Sequence, residues 1–394
     1  MNFFLNRFLT NIPPTPQIHF GGKGYKSASA PNGLQNDTFE KRGVSSHEVS
    51  FTSKKGTGST KKGDVLKELD NITCPYSGVK MIPNRHMDRI AAKLERCENI
   101  TEDINTLQVY QNSMQKLEKR VFMCLKEYQQ THPYGTINDC LNELKPECLA
   151  KLKVDQLKVL DDVDKTSNRL DAPTALKIRA VTTKARKKIL EDRADSIFKR
   201  KDLLVEIHDI MRDHPNQELV QVMWNKASKL PRSTKDFNAF VVKYSKRSDE
   251  ETAARLLKPS VASIEHIRPS SPSEDEIEGG DDNLTNFMLA SRDWNTGRSN
   301  KPLPEFIAKH PNIPKYSQMY INDIIKAIHK GLLEDCDWYP YVIKEKLYNE
   351  SQGLIDLKLD RYKISREDAL ATAPEDVINI YNDLVEKNSL ISSS

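Results

Sequence analysis

Three short pieces within residues 263–307 (SIEHIRPSSPSEDEIEGGDDNLTNFMLASRDWNTGRSNKPLPEFI) gather side chains able to do chemistry. They are Glu265-His266-Ile267-x-Pro269, an Asn286 ahead of apolar Phe287-Met288-Leu289, and Asn295-x-x-Arg298. Carboxylate and amide oxygens are hard donors that suit Mg²⁺ or Mn²⁺ rather than a soft metal. An imidazole exchanges a proton near neutral pH, and a guanidinium pairs well with phosphate. Each piece alone also has an ordinary reading. An acid–His pair in an extended segment is common, and asparagines mark turns because they tolerate left-handed backbone. Trp294 reads as a packing residue. The order and spacing of the pieces carry the information.

That order resembles the HNH endonucleases, the ββα-metal nucleases. In that family an acid-His-Ile/Val-x-Pro strand is followed by a loop, a central Asn leading an apolar strand, and an Asn opening a helix. The separation of Asn286 and Asn295 is similar to that in the HNH domains of CRISPR effector nucleases, while an acidic insertion, Glu274–Asp282, lengthens the loop after His266. The resemblance implies Glu265 and Asn295 as ligands of one Mg²⁺ or Mn²⁺, His266 as general base, and Asn286 as the residue that ties the loop and orients the base. It implies a metal that neutralises charge on the scissile phosphate and the departing oxygen. Arg298, one helical turn after Asn295, is expected to contact a phosphate, with Lys301 a weaker candidate.

The chain departs from the family in two ways. Many members hold the two strands with a zinc knuckle of two Cys-x-x-Cys pairs. Here the corresponding stretches read Cys74-Pro75-Tyr76-Ser77 and Ser291-Arg292-Asp293-Trp294. One cysteine of four remains, so a structural zinc is not expected, and packing by Trp294 and Tyr76 could substitute. Glu265 also replaces the commoner Asp. The second departure is architectural. The knuckle-like hairpin Thr73–Ile82 lies far upstream of the acid–His strand. Either a helical block is inserted into the nuclease domain with its ends returning to one place, or the hairpin is unrelated and the core starts near Ser260. Insertion is the favoured alternative.

The elements around these residues follow from periodicity. Residues 1–63 are rich in Gly, Ser, Thr, Asn and Lys and carry nine Lys/Arg against three acids. They cannot bury enough apolar surface to offset ordering entropy, so a disordered basic arm is expected. Pro75 and Gly78 mark the turn of a hairpin belonging to a 64–95 segment, and His86–Arg96 reads as helix. A helical insertion is expected over 96–255. It starts with a long helix from Thr101, capped by that residue, through Ile104, Leu107, Met114, Leu117, Val121, Leu125 and Tyr128, with Gln111 and Glu118 weakening the seam. More helices follow across 136–165, 173–211, 217–229 and 234–246. The nuclease-like core spans 256–312. A mostly helical extension covers 313–394, with helices near 317–330, 339–349 and 374–386 and one strand over Leu354–Leu359. The fold class is α+β, predominantly helical, with a small ββα-metal core.

With 394 residues the chain has room for two or three domains. A net charge of +4 with 29% charged residues announces no nucleic-acid partner by itself, but the distribution says more. Lys177–Lys201 carries ten basic residues against three acids, and Arg179, Arg186, Arg193 and Arg200 recur every seven positions. Such a stripe could track duplex DNA, although a solvated helix face reads the same way. Aromatics are scarce there, which does not suggest single-strand binding. Six scattered cysteines read as reduced thiols, no apolar stretch approaches the roughly 20 residues that cross a bilayer, and Met1–Leu9 is a poor secretory signal. A cytoplasmic protein with no membrane partner is expected, and the helix Thr101–Gln130 could pair with a second copy. Three functions compete: a metal-dependent DNA endonuclease, a degenerate HNH-fold binding or scaffold protein, and a helical interaction protein for which the 263–307 pattern is accidental.

Overall fold

The structure is a computed structural model that describes residues 64–67, 69–191, 200–270 and 279–393, with backbone alone at Asp64 and Arg200. The basic arm expected over 1–63, the start of the acidic run from Glu274, and Arg193 fall outside the described residues. Among the described residues the chain is predominantly helical, with sixteen α-helices and one small two-stranded antiparallel sheet.

A short helix, α1 (Asp64–Lys67), leads into the expected hairpin. Thr73 bridges Lys80 in antiparallel sense, and the Met81 amide donates to the Ile72 carbonyl at 2.9 Å. Gly78 turns the hairpin with φ +72°, where L side chains are strained. A Cβ there would also sit 2.5 Å from the Tyr316 ring. Conformation and space both require glycine.

Nine helices follow: α2 (Asn84–Leu94), α3 (Ile100–Gln108), α4 (Lys116–Thr131), α5 (Ile137–Ser167), α6 (Ala172–Leu190), α7 (Arg200–Met211), α8 (Gln217–Ala227), α9 (Phe237–Tyr244) and α10 (Asp249–Leu257). The single helix expected from Thr101 is two. It starts at Ile100, capped by Asn99, whose side chain accepts from the Thr101 and Glu102 amides. It stops near the polar Gln111, where a short 3₁₀ turn over Gln111–Ser113 brings Met114 fully into the core. Ile104, Leu107, Met114, Val121 and Leu125, from the seam of the helix that could pair with a second copy, are buried inside the chain. α5 spans 31 residues, on the order of 45 Å at 1.5 Å per residue. Its start is fixed by a capping box in which the Thr136 hydroxyl accepts from the Asp139 amide and the Asp139 carboxylate accepts from the Thr136 amide, both at 3.0 Å. Its first half packs with α2–α4, α9 and α10 and its last turns with α6–α8, so the block holds two apolar clusters strung along one long helix.

The block leaves and returns at one place. The Ile82 amide donates to the Ser260 carbonyl at 2.9 Å, and the Ala262 amide to the Ile82 carbonyl at 2.8 Å. Next come β1 (Ala262–His266), β2 (Phe287–Ser291) and, without a break, α11 (Arg292–Arg298). β1 and β2 pair antiparallel with His266 opposite Phe287 and Ala262 opposite Ser291.

The chain closes with α12 (Leu303–Lys309), α13 (Ile313–His329), α14 (Tyr339–Glu350), α15 (Arg366–Ala371) and α16 (Glu375–Ser393). These helices share one apolar core with the hairpin and the sheet. They also finish the free edge of β2. The Leu289 amide donates to the Tyr320 hydroxyl at 3.2 Å, and the Tyr339 hydroxyl donates to the Phe287 carbonyl at 2.7 Å. Two side chains thus satisfy backbone groups that a third strand would otherwise take. The strand expected over Leu354–Leu359 is not one. Ile355 and Leu357 do point inward, but the neighbour is a helix, and Gln318 of α13 accepts from the Lys358 amide at 2.8 Å and donates to its carbonyl at 2.9 Å. The alternation was real; the partner was a glutamine.

Candidate active site

β1 ends in Glu265 and His266, and the pleat turns them to different surroundings. Glu265 is 3% exposed, whereas the His266 side chain is 28% exposed. α11 begins directly at the end of β2, which places Asn295 across from the Ile264 carbonyl. The Asn295 side-chain amide donates to that carbonyl at 2.6 Å and to the Ser263 hydroxyl at 3.1 Å. With the nitrogen committed to β1, the oxygen faces away from the strand. Glu265, His266 and Asn295 line one cleft of about 240 Å³ with Pro269, Ser270, Ser299 and Asn300. Ser299 closes α11 with φ +54°, an uncommon conformation for a residue with a Cβ, and is one of the residues lining the cleft.

Asn286 is fully buried beneath the loop that follows His266. Its oxygen accepts from the Arg268 amide at 2.8 Å, and its nitrogen donates to the Arg268 and Asp281 carbonyls, each at 2.9 Å. One side chain therefore ties both ends of the lengthened loop. The loop can close only over glycine, since a Cβ on Gly280 would lie 2.2 Å from the Arg268 carbonyl oxygen and 2.5 Å from the Asn286 amide nitrogen. The expected role of Asn286 as loop tie matches this geometry.

His266 stands edge-on to Phe287, with ring centroids 4.8 Å apart, and its Nε2 lies 3.2 Å from the Asp282 carboxylate. A carboxylate only accepts, so Nε2 carries the hydrogen in this contact and the neutral ring keeps its lone pair on Nδ1.

Arg298 is where expectation and structure part. It is 1% exposed and does not present its charge to a phosphate. Its Nη1 donates to Glu265 in a short ion pair, to the Tyr76 hydroxyl at 3.2 Å and to the His266 carbonyl at 2.6 Å. Its Nη2 donates to the Ile267 carbonyl at 2.6 Å. An arginine one turn after Asn295 points back under β1 because the helix starts at the strand end, so the guanidinium meets the strand carbonyls rather than solvent. Burial penalises the Arg298 charge, and Tyr76 and Glu265 more than offset that, leaving its pKa raised. Burial pushes the Glu265 carboxyl above its ordinary value, against the opposing pull of Arg298 and Tyr76.

Tyr76 completes this cluster and was assigned only packing. Its hydroxyl donates to Glu265 Oε1 at 2.9 Å, and burial lifts its pKa well above the usual phenol. The CPYSG turn was the available signal, since it already hinted that the hairpin returns to this core. Cys74 sits against Ser291, with Sγ 3.4 Å from its hydroxyl and accepting from its amide at 3.3 Å. Trp294 packs edge-on with Phe306 and His310. Among the described residues no group of three or more His, Cys, Asp or Glu side chains gathers to hold a metal. Glu265 and Asn295, whose oxygens could hold a hard cation, both line the one cleft, with Glu265 Oε1 already accepting from Tyr76 and Arg298. Two such donors suit an ion that keeps most of its water and takes a substrate phosphate.

The wider basic stripe is less open than its spacing implied. Arg186 donates to Asp161 at 2.6 Å and to Asp164 at 2.5 Å, and Arg179, though exposed, donates to Asn168. Lys184 pairs with Glu206 at 3.1 Å. The side chains of Arg193 and Arg200 lie outside the described residues. Lys301, half-buried, donates to the Gly297 carbonyl at 3.0 Å. No described helix is long and apolar enough to cross a membrane.

Compared with protein-family models, with curated proteins and with solved structures, the chain finds no match in any of the three.

Proposed function

We propose that the cleft at the end of β1 hydrolyses phosphodiester bonds of duplex DNA as an HNH-type, metal-dependent endonuclease. The observation that carries this reading is the meeting, on one open cleft, of His266, Glu265 and Asn295 from two elements, with Asn286 tying the loop between them. His266 takes the proton of the attacking water on the nitrogen that Asp282 leaves free. Asn286 keeps the loop, and so the imidazole, in place. Arg298 anchors the His266 and Ile267 carbonyls where β1 ends, which fixes Glu265 and His266 relative to α11. Glu265 and Asn295 would hold one Mg²⁺ or Mn²⁺, which when bound would supply neutralisation of charge on the phosphate and the leaving oxygen. The cytoplasm is the compartment this reading fits.

The test is plasmid cleavage by the full chain with Mg²⁺, with Mn²⁺ and with EDTA. Cleavage that EDTA abolishes, and that His266→Ala lowers by about 10²–10⁴-fold, supports the reading. An inert wild type overturns it. The buried Glu265–Arg298 pair favours a second reading, a binding or scaffold protein whose carboxylate has been retired into a structural ion pair. An inactive chain that still shifts duplex DNA on a gel is the outcome that reading requires.

A further inference from the structure

The same ion pair has a functional consequence for the metal. We infer that Arg298 makes cation binding conditional on DNA: without a phosphodiester in the cleft, the donor set carries no net negative charge and holds a divalent ion weakly. This rests on the endonuclease reading above. Of the two proposed ligands Asn295 is neutral, and the charge of Glu265 is matched by a guanidinium on the same carboxylate oxygen. Both members of the pair are almost wholly buried, 1% and 3% exposed, so water does little to screen Arg298 from an ion bound beside Glu265. Arg298 cannot swing away. Two further bonds, to the His266 and Ile267 carbonyls, fix it under the strand. A divalent ion entering alone therefore meets one fixed cation, and neither of its two ligands offers it an uncompensated charge. A DNA phosphate entering with it supplies the missing negative charge and an oxygen ligand, so that metal and substrate bind as a cooperative pair. Arg298 is a positioning residue here: it acts on the metal through Glu265 and touches neither phosphate nor water.

The experiment measures Mn²⁺ affinity of the full-length His266→Ala protein by titration calorimetry, alone and saturated with a short duplex, with the duplex alone as the blank. The expected result is binding tighter in the presence of DNA by at least about tenfold, roughly 1.4 kcal/mol. Arg298→Met, checked for folding by circular dichroism, is expected to tighten Mn²⁺ binding to the free protein by a similar factor and to shrink the effect of DNA. A purely structural role would not raise the free protein's metal affinity. Equal affinity with and without DNA overturns the inference and leaves the endonuclease reading standing. Absence of Mn²⁺ binding in both conditions overturns both. Should Arg298→Met fail to fold, the paired measurement on His266→Ala decides alone.

Discussion

Around the cleft, partners come from far along the chain: Tyr76 meets Glu265 across 189 positions, Cys74 meets Ser291 across 217, and Thr73 meets Asp323 across 250. In the helical block the polar contacts are mostly near neighbours or pairs between adjacent helices, such as Thr136 with Asp139 and Arg186 with Asp161 and Asp164. Its interior is built from apolar seams along α4, α5 and α6. Around the cleft the buried polar groups Glu265, Asn286 and Arg298 converge on one site, each needing one geometry, whereas those of the block, such as Asp103, Glu118 and Gln156, are scattered among apolar seams that tolerate repacking. Geometry is specified where chemistry would need it.

If that contrast holds, the largest single effect belongs to Asn286→Ala. It would remove three hydrogen bonds under the loop at once, those to the Arg268 amide and to the Arg268 and Asp281 carbonyls. The expected loss is roughly 3 kcal/mol of stability, read by urea unfolding. Cleavage is expected to fall by about 100-fold or more, because the imidazole loses its position. Retention of full activity would break the claim that loop geometry places His266.

The helical block offers a test of opposite character. Asp103 is buried in α3, and burial, reinforced by Asp249, raises its pKa to about 6 from an ordinary 3.8. A folded-state pKa above the unfolded value stabilises the fold below about pH 4, and that contribution is lost as pH rises through about 6. Asp103→Asn removes the charge at every pH. The variant is expected to be more stable than the parent at pH 8, by at most about 3 kcal/mol, and to match it near pH 4. Parallel melting curves at the two pH values would reject the burial argument.

Tyr339→Phe sharpens the contrast from the cleft side. It leaves the Phe287 carbonyl without its 2.7 Å donor and Tyr320 without its partner at 3.0 Å. The expected cost is about 1–2 kcal/mol by thermal unfolding. Cleavage should change little, since Tyr339 is absent from the cleft lining.

What the sequence could disclose divides along the same line. Periodicity located α5, α13 and α14 because a helix writes its own buried face into local spacing. The EHIxP stretch, Asn286 and Asn295 were legible because strand, loop and helix start follow one another within 31 positions. The two edge tyrosines were not, since each acts on a strand backbone that no local pattern points to, and for Tyr76 the CPYSG turn signalled the hairpin's return but not the carboxylate its hydroxyl meets. Arg298 was misjudged for a related reason. Spacing put it one turn from Asn295, but only the strand beneath α11 shows which way the side chain goes. Leu354–Leu359 failed because alternation reports burial on one side and not the identity of the neighbour.

The smallest effect expected concerns the arginine stripe, and it bears on whether the block grips DNA there at all. Arg186 is the best defined member: its side chain is 26% exposed, and both terminal nitrogens are engaged by Asp161 and Asp164 on α5. A cation already matched by two carboxylates releases few counterions when DNA approaches, so it adds little to the salt-dependent part of binding. Arg186→Gln is therefore expected to leave the duplex dissociation constant within about twofold and its salt slope unchanged, by fluorescence anisotropy at two or more salt concentrations. The same variant is expected to lose about 1 kcal/mol of stability, because Asp161 and Asp164 would then face each other without a cation between α5 and α6. A large drop in affinity with stability intact would reverse this assignment. It would mean that DNA displaces the aspartates from Arg186, and that the helical block contacts the duplex directly instead of serving as scaffold.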